Sequence, residues 1–348
     1  MKMQAAFLDG IEQISVRETD VPVPGAGEAL IKVDSCTVCG SDLKIFRYGN
    51  KRIDYPRIVG HEVAGEVVEV GAAVEAVSKG DRVAVGADIP GVWNTNVPGK
   101  TSFVDYATGH EFDGGFAEYM LLNSDMLRFG PVTQMPEGLS YEAAALAEPL
   151  ACALHGLELA RFGPGKSLVV IGLGPIGIML LQLGRAFGGS KIFGAQRSKK
   201  RLELARPFLP EARFISTEEE ELVQVVMDET DGLGADCVIT SAGTVQSHVD
   251  AIHMVAHRGY VNLFGGLRNE PKLSIDSNII HYKECFVTGS HGSLPRHHKH
   301  AVQLIARGAV EAEKLISRRF PLKEIREAYA FHESREGLKC AVKPGGVT

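Results

Sequence analysis

The run Ser167-Leu168-Val169-Val170-Ile171-Gly172-Leu173-Gly174-Pro175-Ile176-Gly177 decides how the central part of this chain folds. Ser167 to Ile171 reads as a buried strand, a short continuous apolar run ended by glycine. The pattern G-x-G-x-x-G follows at once, and an apolar helix runs on to Phe187. In this strand–turn–helix setting the pattern is specific, because each glycine answers a physical need. Gly172 permits the tight turn, Gly174 lets the backbone approach a pyrophosphate, and Gly177 lets the helix pack closely on the strand. Pro175 and Ile176 open the helix, whose unpaired N–H groups and positive dipole end suit phosphate oxygens.

Outward from this point, Lys191 to Ala195 reads as a second strand and Arg197 to Phe208 as a helix with apolar residues at helical spacing. Ala212–Ile215, Asp236–Thr240, Gly259–Leu263 and Phe286–Gly289 are further buried-strand candidates, with helices between most of them. Strands alternating with helices predict an α/β domain with a doubly wound parallel sheet. The first 150 residues have a different texture. Alternating segments such as Ala29–Val33, Val63–Val70 and Arg82–Val85, broken by Gly, Pro and Asp, predict a β-rich domain. Between Gly86 and Gly115 the alternation stops, and Pro90, Gly91, Asn94, Asn96, Pro98 and Gly99 predict a long loop. From about Gly292 the tail predicts a helix over His298–Arg307 and a last strand near Leu338–Lys343. The expected division is 1–150, 151–290 and 291–348.

A length of 348 residues suits about two domains. With 45% hydrophobic and 23% charged residues there is material for two packed cores, which excludes a disordered or fibrous chain. A net charge of −6 gives no bulk field for nucleic acid or an anionic membrane, so a small molecule or a protein is the expected partner. No apolar run is long enough to span a bilayer, and Met1-Lys2-Met3-Gln4 opens no export signal. Cys36, Cys39, Cys152, Cys237, Cys285 and Cys340 are scattered rather than arranged as a disulfide framework. A cytoplasmic protein with reduced thiols is expected.

The end of the second strand bears on the cofactor. A carboxylate about twenty residues after the glycine run normally accepts from the ribose 2′-OH of NAD. Here the corresponding residue is Gln196, followed by Arg197, Ser198, Lys199 and Lys200. A missing carboxylate beside an arginine suits a 2′-phosphate and favours NADP, with NAD bound without the carboxylate as the alternative. Asn262 and Phe264, in Asn262-Leu263-Phe264-Gly265-Gly266 after a strand, are expected to border the nicotinamide.

Three fragments carry potential metal ligands: Cys39-Gly40-Ser41-Asp42, Gly60-His61-Glu62 and Ala147-Glu148-Pro149-Leu150. Cys, His and Glu suit a zinc centre with an open position. Singly, each has a plainer reading: a buried small hydrophobe, a core histidine, an acid at a helix start. In order along the chain they carry more. Together with Gly60-His61-Glu62-x-x-Gly65, Gly80-Asp81-Arg82-Val83, Gly114-Gly115-Phe116-Ala117-Glu118-Tyr119 and the glycine loop, they make the chain resemble the zinc-dependent medium-chain alcohol and polyol dehydrogenases over nearly its whole length.

That resemblance implies a GroES-like catalytic domain made from both ends of the chain, a Rossmann cofactor domain between them, and a catalytic zinc in the cleft. It implies Cys39 and His61 as zinc ligands and Glu148 as the third protein position. Glu62 is adjacent, with direct ligation and exchange with Glu148 as its alternatives. Asp42 is implied to orient His61, and Ser41 to hydrogen-bond the substrate hydroxyl and begin the proton path. The implied reaction is oxidation of a secondary alcohol of a polyol, sugar alcohol or aminocyclitol to a ketone by hydride transfer to NAD(P). A threonine 3-dehydrogenase-like enzyme, a zinc-free enone or quinone reductase, and a non-catalytic NADP-binding protein are the rival readings. A homodimer or homotetramer is implied as well.

Two departures stand out. Many relatives carry a structural zinc on four clustered cysteines, yet this chain has no cysteine between Cys39 and Cys152, so one catalytic zinc and no structural zinc is expected. Relatives often have His where this chain has Lys44, which is either a proton relay or a surface lysine. Cys36 reads as a core cysteine. The stretch Ile45 to Arg57 is basic and aromatic, and reads as either a substrate-side or a solvated loop. His291, His297, His298 and His300 read as a polar turn leading into a helix.

Overall fold

A computed structural model describes residues 1–90, 106–267 and 272–346. The chain forms two compact units, one from residues 1–151 and 292–348 and the other from residues 152–291. Gly91, Asn94, Asn96, Pro98 and Gly99 of the predicted loop lie outside the described residues.

The first unit is β-rich. Its main sheet runs in the order Val132–Gln134, Arg82–Val85, Glu62–Val70, Ala29–Thr37, Lys339–Lys343 and Ile316–Pro321, with Tyr119–Leu122 also paired to Ala29–Thr37. A three-stranded sheet of Gln13–Asp20, Lys2–Gly10 and Arg57–Ile58 accompanies it. The Ala29–Thr37 strand explains how the two ends of the chain form one unit. It pairs antiparallel with Glu62–Val70 over nearly its whole length, and its Cys36 and Thr37 pair with Val342 and Ala341 from the other end of the sequence. Alternation along these strands turns Ile31, Val33, Val63, Val67 and Val83 into a core with Phe116, Phe320 and Tyr329. Cys36 belongs to that core and is fully buried.

The second unit has a six-stranded, all-parallel sheet in the order Arg213–Ser216, Lys191–Gln196, Ser167–Ile171, Ala235–Thr240, Val255–Leu263 and Phe286–Gly289. Numbered within the unit, this is the 3-2-1-4-5-6 order of a doubly wound dinucleotide fold. Ser167–Ile171 is central and buried throughout, which is why it reads as an unbroken apolar run.

Several local expectations are corrected. The stretch from Gly86 to Gly115 is not all loop, since Asp88–Ile89 pairs antiparallel with Tyr106–Ala107. Two-residue strands are too short to show a period. The helix expected over Arg197–Phe208 spans Lys199–Ala205 and passes into a 3-10 turn at Arg206–Phe208. Ser198 caps its start by accepting from Arg201 N–H, and Pro207 has no N–H to continue the helical ladder. The Val255–Leu263 strand starts earlier than expected, because exposed His257 and Arg258 hide its pattern. The tail helix begins at Pro295, so His297 and His298 are not in a polar turn but on its buried face, 4% and 1% exposed.

Candidate functional site

In the second unit the glycine run forms an open cradle. Gly172 has φ +98, a left-handed conformation that glycine adopts without strain. At Gly177 a Cβ would lie 1.9 Å from the Gly172 carbonyl oxygen, so only glycine allows the helix to approach. At Gly174 a Cβ would meet nothing within 4 Å, leaving open space at the N-terminus of the Pro175–Ala186 helix. No side chain caps that helix, and half-buried Pro175 and Ile176 form its first turn. An open cradle of unpaired N–H groups fits a dinucleotide pyrophosphate.

Gln196 stands at the end of its strand, and its Oε1 accepts from Leu173 N–H at 2.8 Å. The side chain therefore braces the glycine loop and leaves its amide N–H groups for a ligand. Arg197 beside it is exposed. Asn262 is fully buried, and both ends of its amide are engaged: Nδ2 donates to the Gly156 carbonyl at 3.1 Å, and Oδ1 accepts from Ser290 Oγ at 3.1 Å. Half-buried Phe264 packs its ring where a Cβ on Gly156 would sit.

In the first unit, residues distant in sequence meet. Cys39 is the N-cap of the Gly40–Tyr48 helix, and its backbone N–H donates to Asp42 Oδ2 at 2.9 Å. Asp42 Oδ1 lies 3.2 Å from His61 Nδ1, while His61 Nε2 lies 3.2 Å from Ser41 Oγ. One helix turn thus carries a thiol, a hydroxyl and a carboxylate beside the imidazole of His61, which immediately precedes the Glu62–Val70 strand. Ligand atoms of Cys39, His61 and Glu62 all lie within 4.8 Å of one another. A thiol, an imidazole and a carboxylate at this spacing fit zinc, whereas calcium or magnesium would call for oxygen alone. Burial disfavours the charged form of His61, yet Asp42 and Cys39 hold its pKa well above the usual value. Burial likewise works against the Asp42 carboxylate, but His61 beside it holds its pKa low.

The two candidate glutamates differ. Glu62 belongs to the tight group with Cys39 and His61; Glu148 lies outside that group, in the first turn of the Ala147–Leu159 helix and within 4.8 Å of the Asp88 carboxylate. Burial, together with Glu62 and Asp88, pushes the Glu148 pKa up to about 8. Lys44 is exposed one turn beyond Ser41.

Sequence reasoning passed over Lys339. Its ammonium sits on Glu62, 2.5 Å from Oε1 and in contact with Oε2, and also donates to the Val38 carbonyl at 2.9 Å. Thr37 Oγ1 donates to the same carboxylate. Burial opposes the charged lysine, but Glu62 raises its pKa above the usual value. A lysine in the otherwise apolar run Leu338-Lys339-Cys340-Ala341-Val342 was the available signal, since a buried lysine needs an anionic partner. The basic stretch from Ile45 to Arg57 is also less free than its composition suggests. Arg47 pairs with Glu12 and Glu333, Arg52 with Glu111, and Arg57 with Asp113.

Residues 25–132 match the model of the alcohol dehydrogenase GroES-like domain, and residues 175–307 match that of the zinc-binding dehydrogenases. The chain is 30% identical to the sorbitol dehydrogenase of Halalkalibacterium halodurans, over 99% of this chain and 99% of that relative. It is 30% identical to the D-arabitol-phosphate dehydrogenase of Enterococcus avium, over 94% and 93% of the two chains. A protein of Sinorhizobium meliloti described as a zinc-binding dehydrogenase, solved bound to NADP, superimposes with a TM-score of 0.90 at 30% identity, covering 99% of this chain and 100% of its own. Among the described residues no helix is long and apolar enough to cross a membrane.

Proposed function

The chain belongs to the family of zinc-binding alcohol and polyol dehydrogenases, and from that premise we propose that it oxidises a secondary hydroxyl of a polyol, sugar alcohol or aminocyclitol to a ketone with NADP as hydride acceptor. It is an NAD(P)-dependent alcohol dehydrogenase. The observation that carries the finer reading is the convergence of Cys39, His61 and Glu62 within 4.8 Å, with Asp42 behind the imidazole.

Those three residues would hold the zinc, with Glu148 as the adjoining carboxylate. Bound zinc supplies Lewis acidity toward a substrate hydroxyl, and bound nicotinamide supplies the hydride acceptor. The chain's own groups do the rest. Asp42 fixes the ring of His61 and its tautomer, so that Nε2 is the nitrogen offered to the metal. Ser41 Oγ, 3.2 Å from that nitrogen, accepts the proton that the substrate hydroxyl gives up and passes it toward solvent. Thr37 and Lys339 hold Glu62 in one orientation. A carboxylate has lone pairs beyond those two contacts, so holding Glu62 is compatible with ligation.

Gln196 supports NADP over NAD. Its oxygen is engaged by Leu173 N–H, so it presents donors where an NAD-binding carboxylate would present acceptors. Donors, with Arg197 next in sequence, suit a 2′-phosphate. The lack of any cysteine between Cys39 and Cys152 supports a single zinc per chain.

The test is elemental analysis of the purified protein together with turnover on a polyol panel. One zinc per chain is expected, lost in Cys39→Ser along with turnover, while NADP binding stays within about twofold of wild type. Full polyol turnover by zinc-free protein would overturn the reading.

A further inference from the structure

A turn that the sequence did not single out lies against His61, the residue just before the Glu62–Val70 strand. His110 places its ring 6.2 Å from the ring of His61, centroid to centroid, with the planes tilted by 59°. Glycine makes this approach feasible. Gly109 has φ +74, and a Cβ there would lie 3.1 Å from Gly60 N, tighter than an ordinary contact. The turn is closed by Gly109 N–H on the Phe112 carbonyl at 2.8 Å and His110 N–H on the Ala107 carbonyl at 3.1 Å.

Two further contacts fix how His110 is presented. Its Nδ1 lies 3.3 Å from the Thr108 carbonyl oxygen. A carbonyl oxygen only accepts, so Nδ1 carries the proton, and in the neutral ring Nε2 is left as an acceptor. Glu111 next to it is gripped in a fork by Arg52, with Nε donating to Oε1 at 2.5 Å and Nη2 to Oε2 at 2.8 Å. The same carboxylate accepts from Ala107 N–H at 2.8 Å. The fork therefore ties the His110 turn to the segment from Asn50 onward, and a planar two-point contact resists rotation better than a single bond.

We propose that His110 is a specificity-determining residue, accepting a hydrogen bond from the substrate hydroxyl next to the one being oxidised, and that the Arg52–Glu111 fork is its positioning device. This rests on the proposed polyol reading and deepens it: the preferred substrate class is the vicinal diol rather than the simple secondary alcohol. A second hydroxyl is a donor in need of an acceptor, and a site that offers one discriminates against substrates lacking that hydroxyl. A simple secondary alcohol would leave His110 without a substrate partner.

The experiment compares xylitol with 2-pentanol in wild type, His110→Phe, His110→Asn and Arg52→Gln, each checked for zinc content and NADP affinity. In His110→Phe, kcat/KM for xylitol falls about 10- to 100-fold, mainly through KM, while that for 2-pentanol moves less than about 3-fold. His110→Asn recovers part of the loss, and Arg52→Gln shows a smaller loss confined to xylitol. An equal fall on both substrates, or no fall on xylitol, overturns the proposal. If the wild type turns over neither substrate, the proposed activity itself fails. Calorimetric binding of xylitol then judges His110 alone, and an affinity equal in wild type and His110→Phe, or no binding at all, overturns its role.

Discussion

The ammonium of Lys339 and the carboxylate of Glu62 form an ion pair buried on both sides, with side chains 3% and 0% exposed. Such a pair gives little net stability over an apolar substitute, but losing one partner strands the other charge without water. In metal-stripped protein, Lys339→Met is expected to lower unfolding free energy by about 3–5 kcal/mol. Adding Glu62→Gln restores part of that loss, because no charge is left stranded. Urea unfolding of the three proteins checks this, and additive losses in the double variant would contradict it.

The glycine cradle separates fold from ligand. Gly177→Ala drives a Cβ to 1.9 Å from the Gly172 carbonyl, so overpacking of about 1–3 kcal/mol and a lower thermal midpoint are expected. Gly174→Ala meets no protein atom within 4 Å, so stability is expected to stay within about 0.5 kcal/mol of wild type. Its NADP affinity nevertheless falls about tenfold or more, because the methyl occupies the cofactor's space. Thermal melts and NADPH fluorescence titrations of both variants distinguish the two effects.

Gln196→Asp puts a carboxylate where the structure has an amide. The change is expected to shift the ratio of kcat/KM for NADP over NAD toward NAD by about 10- to 100-fold, since a carboxylate accepts from a ribose hydroxyl and repels a phosphate. Asp is one methylene shorter than Gln, so the 2.8 Å brace from Leu173 N–H is weakened in this variant, and a thermal melt beside the kinetics separates that loss from the cofactor effect. An unchanged ratio would show that Gln196 does not face the ribose.

Acid stability is expected to carry the mark of His298. Burial lowers its pKa from 6.5 to about 3, and its Nδ1 shares a 2.9 Å hydrogen bond with Thr133 Oγ1. Between those two values the unfolded chain binds a proton that the folded chain refuses. Stability therefore falls as pH falls from about 6.5 toward 3, by at most about 1.4 kcal/mol per pH unit from this group. His298→Leu removes that contribution. Urea midpoints of wild type and variant should converge as pH drops from 7 to 4, and parallel curves would contradict the assignment.

How much of this was legible follows from where each signal lies in the chain. The glycine turn between strand and helix was readable because its three glycines, strand and helix fall within one short run. The central strands were readable because burial on both faces leaves an unbroken apolar sequence. Cys39, Ser41 and Asp42 share one helix turn, and His61 and Glu62 are adjacent, so each half of this side-chain cluster showed locally. Lys339 did not show, because its partner Glu62 is 277 positions away, and Arg52 and Glu111 are 59 apart. Only the fold brings such pairs together. Asn262 lies within the Val255–Leu263 strand, and that its amide braces Gly156 and Ser290 has no trace in spacing.

The strand Lys339–Lys343 that completes the main sheet also sets an order of events during synthesis. At about 5–20 residues per second, the ribosome needs on the order of half a minute after making Glu62 to make Lys339. Throughout that interval the nascent chain has Cys39, His61 and Glu62 but lacks the cation that Glu62 is buried against. The segment 152–291, whose sheet uses only its own strands, is fully made before that. The glycine cradle is therefore the first of the two that can form, and the cluster of Cys39, His61 and Glu62 gains its lysine partner only when the chain's two ends zip together.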